Sequence, residues 1–295
     1  MLKNNSLLWI IYWVLFFSLF LVFLFADIWG DDTSIVFEYP NEEIRFWWVK
    51  VPLWENKYHN KERFDKEFLL TSNNLYQFYL YVKRYPLYIP EIETKFLDAG
   101  IHDDIKYLPI AESALRDDVV SSAWAGGIWQ FMPDTARRYD LIVDDQVDER
   151  YHFEKSTDAA ISYLSDLYEI FWDWALVAAA YNRWENGLRR DMASQNVDNY
   201  YDLYLNEETS RYVFRILAIK YVMHSYFEKK TVIDKIIGWT HDEPDTQLVN
   251  VWKIDDLSEW AKDKGFSYKD VKILNRWIIW DSLPEGNWEI KILNK

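Results

Sequence analysis

Over residues 61–230 the apolar side chains recur at intervals of three and four, which restricts the chain to amphipathic helices packed around a common core. Phe64, Phe68, Leu69, Leu75, Phe78, Tyr79 and Val82 carry the period early, and Ala159, Ala160, Tyr163, Leu164 and Leu167 carry it again. Helix-start signals accompany these runs. Ser156 and Thr157 precede the second as N-cap candidates, and Asp134, after Pro133, is placed to cap the segment 135–139. Gly126 and Gly127 mark a loop whose backbone makes demands that side chains resist. The expected class is mainly α.

The flanks differ from this body. Residues 7–25 carry no charge and only Tyr12 and Ser18 as polar interruptions, and such a run spans about 28 Å as a helix, close to the hydrocarbon thickness of a bilayer. Lys3 precedes it, whereas Asp27, Asp31 and Asp32 follow, and Trp9, Trp13 and Trp29 lie toward its ends. The positive-inside bias then leaves the N-terminus in the cytoplasm and the remainder outside. Residues 1–27 are therefore expected to be a transmembrane signal-anchor. A cleaved signal peptide ending at Leu24-Phe25-Ala26 is the alternative, but the run exceeds the usual apolar core of about 7 to 15 residues. Residues 28–70, with Pro40, Pro52, Trp47 and Trp48 and no sustained period, are expected as a stalk and lead-in. Asp242-Glu243-Pro244-Asp245 marks a linker over 233–246, and 247–295 form a small compact tail around Trp252, Leu257, Trp260, Val271, Leu274 and Ile290.

Net charge is −15, which argues against nucleic acid or anionic lipid headgroups as partners, because both need clustered Lys and Arg. The absence of Cys excludes disulfides, thiolate chemistry and a lipid-modified N-terminal cysteine. The 17 Trp and 21 Tyr suit core packing first, and also stacking on the apolar faces of sugars.

One carboxylate stands out. Glu112 sits in the apolar stretch Tyr107-Leu108-Pro109-Ile110-Ala111-Glu112-Ser113-Ala114-Leu115. Burial and the negative end of a helix would both raise its pKa and make it a proton donor near neutral pH. On composition alone, a solvated face or a pair with Arg116, four residues on, is the better explanation.

Linked motifs weigh against that simpler explanation. Glu112-Ser113, Ser121, Gly127-Ile128-Trp129-Gln130-Phe131-Met132-Pro133 and Ala180-Tyr181-Asn182 occur in that order, followed by Glu208-Thr209-Ser210-Arg211-Tyr212-Val213. Together they resemble the transglycosylase domain of the lytic murein transglycosylases, the membrane-bound type D in particular, from about residue 81 to 221. The resemblance implies a lysozyme-like helical catalytic domain over 71–232 with Glu112 as sole catalytic carboxylate, working on peptidoglycan glycan strands without metal or cofactor. It implies that Ser121 and Gln130 hydrogen-bond substrate, that Tyr181 positions Glu112 or the substrate acetamido group, that Met132 walls the cleft and that Asn182 supports loop or substrate. Ser113 and the group Asp148, Glu149 and Arg150 read as structural.

The chain departs from the pattern in several places. Arg183-Trp184 stand where Ala-Gly usually follows the Asn, Asp140 stands where Gly is common, and Leu115 replaces an aromatic. The tail, over 247–295, is similar to a degenerate LysM-like α+β module, but Lys253-Ile254-Asp255-Asp256 replaces its usual Gly-Asp-Thr opening, so a packing role stands beside glycan binding. Two alternatives remain open: a goose-type-lysozyme-like hydrolase, and a catalytically inactive peptidoglycan-binding protein.

Overall fold

A computed structural model of the protein describes residues 37–40, 43–53, 58–228, 230–238 and 244–294. A small hairpin, β1 (Arg45–Phe46) and β2 (Val49–Lys50), leads into α1 (Tyr58–Asn73), α2 (Leu75–Ala99), α3 (Leu108–Ser113) and α4 (Pro133–Arg138). The helices α5 (Phe153–Phe171), α6 (Trp174–Arg183), α7 (Glu185–Gln195), α8 (Glu207–Glu228) and α9 (Lys230–Ile237) complete the body. The tail is β3 (Thr246–Val251), α10 (Leu257–Asp263), α11 (Tyr268–Leu274) and β4 (Trp288–Leu293). The chain is thus mainly α with a small α+β module at its end. The apolar run expected to span a membrane lies outside the described residues; among those described, no helix is long and apolar enough to cross one.

At the centre of the body lies α6. Asp173 caps it by accepting from the Leu176 N–H at 2.8 Å, and Leu176 through Ala180 are buried on every side, as expected of a helix enclosed by others. Its run of three alanines allows α5 and α8 to pack closely, and it delivers Tyr181 and Asn182 to one end of the body. Against α8 lies α1, whose buried Glu67 takes ion pairs from Arg211 and, at 3.3 Å, from Arg215. Residues 44–53 belong to the same core: Ile44, Phe46, Val51 and Leu53 are buried in it, and the Trp47 N–H donates to Asp104 Oδ2 at 2.7 Å. The boundary expected at 70–71 therefore falls inside α1.

Two helix starts differ from expectation. Ser156 and Thr157 are not caps: α5 begins at Phe153, both residues are buried in its first turns, and the Thr157 hydroxyl accepts the Trp129 indole N–H at 3.0 Å. Asp134 follows the cap position, held by Met132, and pairs with Arg137 at 3.1 Å as an exposed first-turn acid. Asp140 does adopt the left-handed conformation, with φ 63°.

In the tail β3 and β4 pair antiparallel, and Trp288, Ile290 and Ile292 turn inward toward Leu257 and Val271. Asn275 is buried with its amide fully used, donating to the Val271 and Lys291 carbonyls and accepting from the Lys291 N–H at 2.8 Å. The tail core also contains Val147 from the body. The Asp148 N–H donates to the Trp277 carbonyl and the Ile279 N–H to the Gln146 carbonyl, both at 2.9 Å, so a strand-like seam joins the two parts.

Candidate active site

Glu112 lies in the last turn of α3, a six-residue helix opened by Pro109 and stopped at Ala114 and Leu115, both left-handed at φ 58° and 57°. No glycine provides this stop, so the backbone is strained immediately after the carboxylate, a feature common where a side chain must be aimed. The Ser113 hydroxyl donates to the Pro109 and Ile128 carbonyls at 3.1 and 2.8 Å, tying the helix end to the loop opposite; Ser113 is structural, as expected.

The Glu112 carboxylate does not pair with Arg116, whose guanidinium turns to Asp118 at 3.0 Å. Instead the Tyr212 hydroxyl, reaching from α8, donates to Glu112 Oε1. Burial pushes the Glu112 pKa up to about 7 against the opposing pull of the Tyr212 hydrogen bond and the Arg215 charge, with a smaller upward push from Glu208. Tyr212 itself is held well above its ordinary pKa by burial and by the neighbouring carboxylate, so it stays a donor. Glu208 is clamped by Arg215 at 2.8 Å.

The loop opposite is pinned by Arg150. Its guanidinium is buried, grips Asp148 through Nε and Nη2, and donates from Nη1 to the carbonyls of Trp124 and Phe131 at 2.6 and 3.0 Å. Gly127 packs directly on this residue: a Cβ there would lie 1.8 Å from the Arg150 carbonyl oxygen, and its φ is 74°. The charge network at 148–150 is thus structural in the way the sequence implies, and what it holds is the site loop. Within that loop the Ser121 hydroxyl accepts from the N–H groups of Ala123 and Ala125 at 3.2 and 3.0 Å. Gln130 is left-handed at φ 52°, and its amide nitrogen donates to the Val119 and Gly127 carbonyls at 3.2 and 2.8 Å, which fixes the side chain and directs its carbonyl elsewhere.

Tyr181 is buried beside Glu112, whose charge adds to burial in raising the phenol pKa. Its hydroxyl donates to the Trp129 carbonyl at 2.7 Å, so the group that bonds the carboxylate is Tyr212, not Tyr181. Tyr181 positions the Trp129-Gln130 backbone. The Asn182 carbonyl accepts from the Thr209 hydroxyl at 2.8 Å and locks α6 to α8 just before Tyr212. Met132 lines a cleft of about 680 Å³, together with Trp124, Tyr163 and the segment 183–187. Glu112 is not among the lining residues; Tyr163 of the cleft wall has its ring 5.3 Å from that of Tyr181, the phenol on which the Glu112 charge acts. Among the described residues no three His, Asp or Glu side chains converge as metal ligands would.

The missed residue is Tyr212. It lies within a quoted motif but 100 positions from Glu112, and nothing in spacing along the chain joins the two. Removing the hydroxyl by Tyr212→Phe takes away a contact that favours the charged carboxylate, so the Glu112 pKa should rise further. The alkaline limb of the pH profile of kcat/KM is expected to move to higher pH, and an unmoved limb would mean that Tyr212 does not tune the acid.

Comparison with known proteins locates two regions. Residues 101–203 match the Transglycosylase SLT domain family, and residues 249–292 match the Soluble lytic transglycosylase C-terminal LysM-like domain. Over 125 residues the chain is 34% identical to "Membrane-bound lytic murein transglycosylase D" of Escherichia coli K12, covering 41% of this chain and 28% of that protein. The protein of the same description from Escherichia coli O6:H1 matches with the same identity and coverage. The chain thus matches little more than a quarter of the length of these curated relatives. Among solved structures, an inactive mutant of lytic transglycosylase Slt from Pseudomonas aeruginosa aligns at 19% identity and a TM-score of 0.36, over 47% of this chain and 24% of that one.

Proposed function

We propose that this chain, which carries a transglycosylase SLT domain over residues 101–203 and a LysM-like domain over 249–292, is a peptidoglycan lytic transglycosylase that leaves 1,6-anhydro-N-acetylmuramic acid ends. The observation that carries this proposal is a single carboxyl, Glu112, poised near pH 7 by burial and held by a phenol that remains a donor.

Because Tyr212 donates to Oε1, the acid proton belongs on Oε2. Glu112 gives that proton to the oxygen linking N-acetylmuramic acid to N-acetylglucosamine; the C1–O bond breaks and the leaving sugar departs with a hydroxyl. The substrate's own 2-acetamido carbonyl closes on C1, so no second protein carboxylate is required. Glu112, now ionised, takes the proton of the C6 hydroxyl, whose oxygen displaces the acetamido group at C1. One carboxyl thereby acts as acid and then as base, and water is not consumed. A pKa near the working pH suits both halves of that cycle.

Around this centre, the Gln130 carbonyl and Ser121 are the proposed polar contacts to the sugar, Met132 walls the cleft, and Tyr181 and Asn182 hold the framework that presents them. The lysozyme-like catalytic domain is assigned to 71–232 together with the segment from residue 44 onward that shares its core, with the linker following α9 and 247–295 as tail. Residues 1–27 would anchor the chain through the membrane and leave the domain outside the cytoplasm, where its substrate is.

Incubation of the purified protein with sacculi, followed by mass spectrometry of the released fragments, tests the proposal. Fragments ending in the 1,6-anhydro sugar are expected. Reducing ends would identify a lysozyme-like hydrolase, and a folded protein that binds sacculi and releases nothing would be a binding protein.

A further inference from the structure

Two tryptophans lining the 680 Å³ cleft combine wide exposure with a backbone conformation that is costly for their residue type. Trp124 is 72% exposed and Trp184 57% exposed, and both have a left-handed φ of 69°. A large exposed side chain gains little from burial, and φ in this range favours glycine. Trp184 also has ψ 139°, close to a region that is essentially glycine-only, while its carbonyl accepts the N–H groups of Gly187 and Leu188 at the start of α7. Trp172 is likewise exposed with φ 52°, but its ring leans on Tyr168, with centroids 5.8 Å apart. Among the described residues neither Trp124 nor Trp184 meets another ring.

The charges of the same cleft do not cancel. Arg138 pairs with Glu185 at 3.0 Å, Arg183 with Asp191 at 2.7 Å, and Asp134 is taken by Arg137. Arg190 lines the cleft from α7, and among the described residues no carboxylate pairs with it. In a chain with 48 acidic against 33 basic residues, an arginine left unmatched at a cleft runs against the overall balance.

We infer that Trp124, Trp184 and Arg190 form a subsite, additional to the contacts around Glu112, that stacks an amino-sugar ring between indoles and pairs a carboxylate of its peptide arm with the guanidinium. The inference rests on the proposed action on peptidoglycan, whose glycan carries both chemistries. Aromatic faces accept the apolar face of a pyranose, and Arg matches a carboxylate with two parallel donors. The subsite lies on the Met132 and Tyr163 side of the carboxylate, so it grips a sugar that is not itself cleaved. Binding energy taken there can orient the scissile bond.

The test uses the full chain carrying Glu112→Gln, which binds without turnover, and calorimetric titration with a peptide-bearing muroglycan tetrasaccharide. The same tetrasaccharide with its peptide carboxylates amidated is the second probe. Native fragment should bind about 10-fold more tightly than amidated fragment, as one charge-assisted pair allows. Adding Arg190→Ala should abolish that preference and leave affinity for the amidated fragment unchanged. Adding Trp184→Gly should weaken both about 10-fold, in the range of one aromatic contact. Since glycine suits φ 69°, the Trp184→Gly melting temperature should not fall, which separates lost contact from lost fold. Unchanged binding in Trp184→Gly or an undiminished preference in Arg190→Ala overturns the subsite, as does failure of the parent variant to bind either fragment. Failure of the functional proposal is seen separately: reducing-end products from active protein, with the binding pattern intact, would discard the reaction and keep the subsite.

Discussion

Glu112→Gln is expected to cut release of soluble fragments from sacculi by about 10²- to 10⁴-fold, the usual worth of general acid–base assistance. The amide keeps the shape of the side chain and can still accept from Tyr212, but it can neither donate to the glycosidic oxygen nor take the C6 hydroxyl proton. The same change should stabilise the fold, and the sign follows from linkage. With a pKa near 7 in the folded chain against 4.5 when exposed, the folded state holds the proton more tightly. The stability associated with that proton is fully present below pH 4.5 and is lost as pH rises through the window from 4.5 to about 7. At about 1.36 kcal/mol per unit, the ionised carboxylate costs the native state roughly 3 kcal/mol above pH 7, which glutamine avoids. Denaturant melts of both proteins should therefore diverge at pH 8 in favour of the glutamine variant and converge at pH 4. Near-normal fragment release by Glu112→Gln would sink the proposed mechanism outright.

Arg150→Met should lower stability by about 3–5 kcal/mol, the cost of leaving a buried carboxylate without its partner. Methionine fills much of the space but leaves Asp148 ionised and unmatched, and it abandons the Trp124 and Phe131 carbonyls. Adding Asp148→Asn should recover part of the loss, because the unpaired charge is then gone while the Trp124 carbonyl still lacks a donor and the Phe131 carbonyl keeps only the Gly126 N–H, at 2.9 Å. Urea unfolding of the two variants measures this; a loss under about 1 kcal/mol for the single change would mean that Arg150 does not pin the loop. Turnover should fall in both variants even where they remain folded, since Gln130 and Ser121 are carried by the segment Arg150 holds.

The helical body is readable because its period is local. Phe64, Phe68, Phe78 and Val82 are buried as their spacing requires, and Glu112, half-buried within its apolar run, has the raised pKa that such surroundings predict. Helix starts are less legible: α5 opens at Phe153 without a side-chain cap, so Ser156 and Thr157 present the right residue types one turn too late. Partners that the fold brings together from distant segments are not legible in the order of motifs along the chain. Tyr181 carries the expected phenol beside Glu112, but its hydrogen bond goes to the Trp129 backbone, and only the packing of α8 reveals Tyr212 as the carboxylate's partner. The left-handed Trp184 is likewise hidden, because its residue type gives no sign of its backbone conformation.

The seam between body and tail has a consequence for how such chains can be recombined. A module joined only through a flexible tether can be exchanged at the tether, leaving both neighbours as they were. Here Val147 is part of the tail's core, Trp277 supplies the acceptor for the Asp148 N–H, and Asp148 in turn holds Arg150. Cutting at 239–243 would leave an apolar socket on one piece and an unmet N–H beside the loop clamp on the other. The inheritable unit therefore includes residues 142–152 along with the tail, and a graft that respects the fold would carry that stretch across with it.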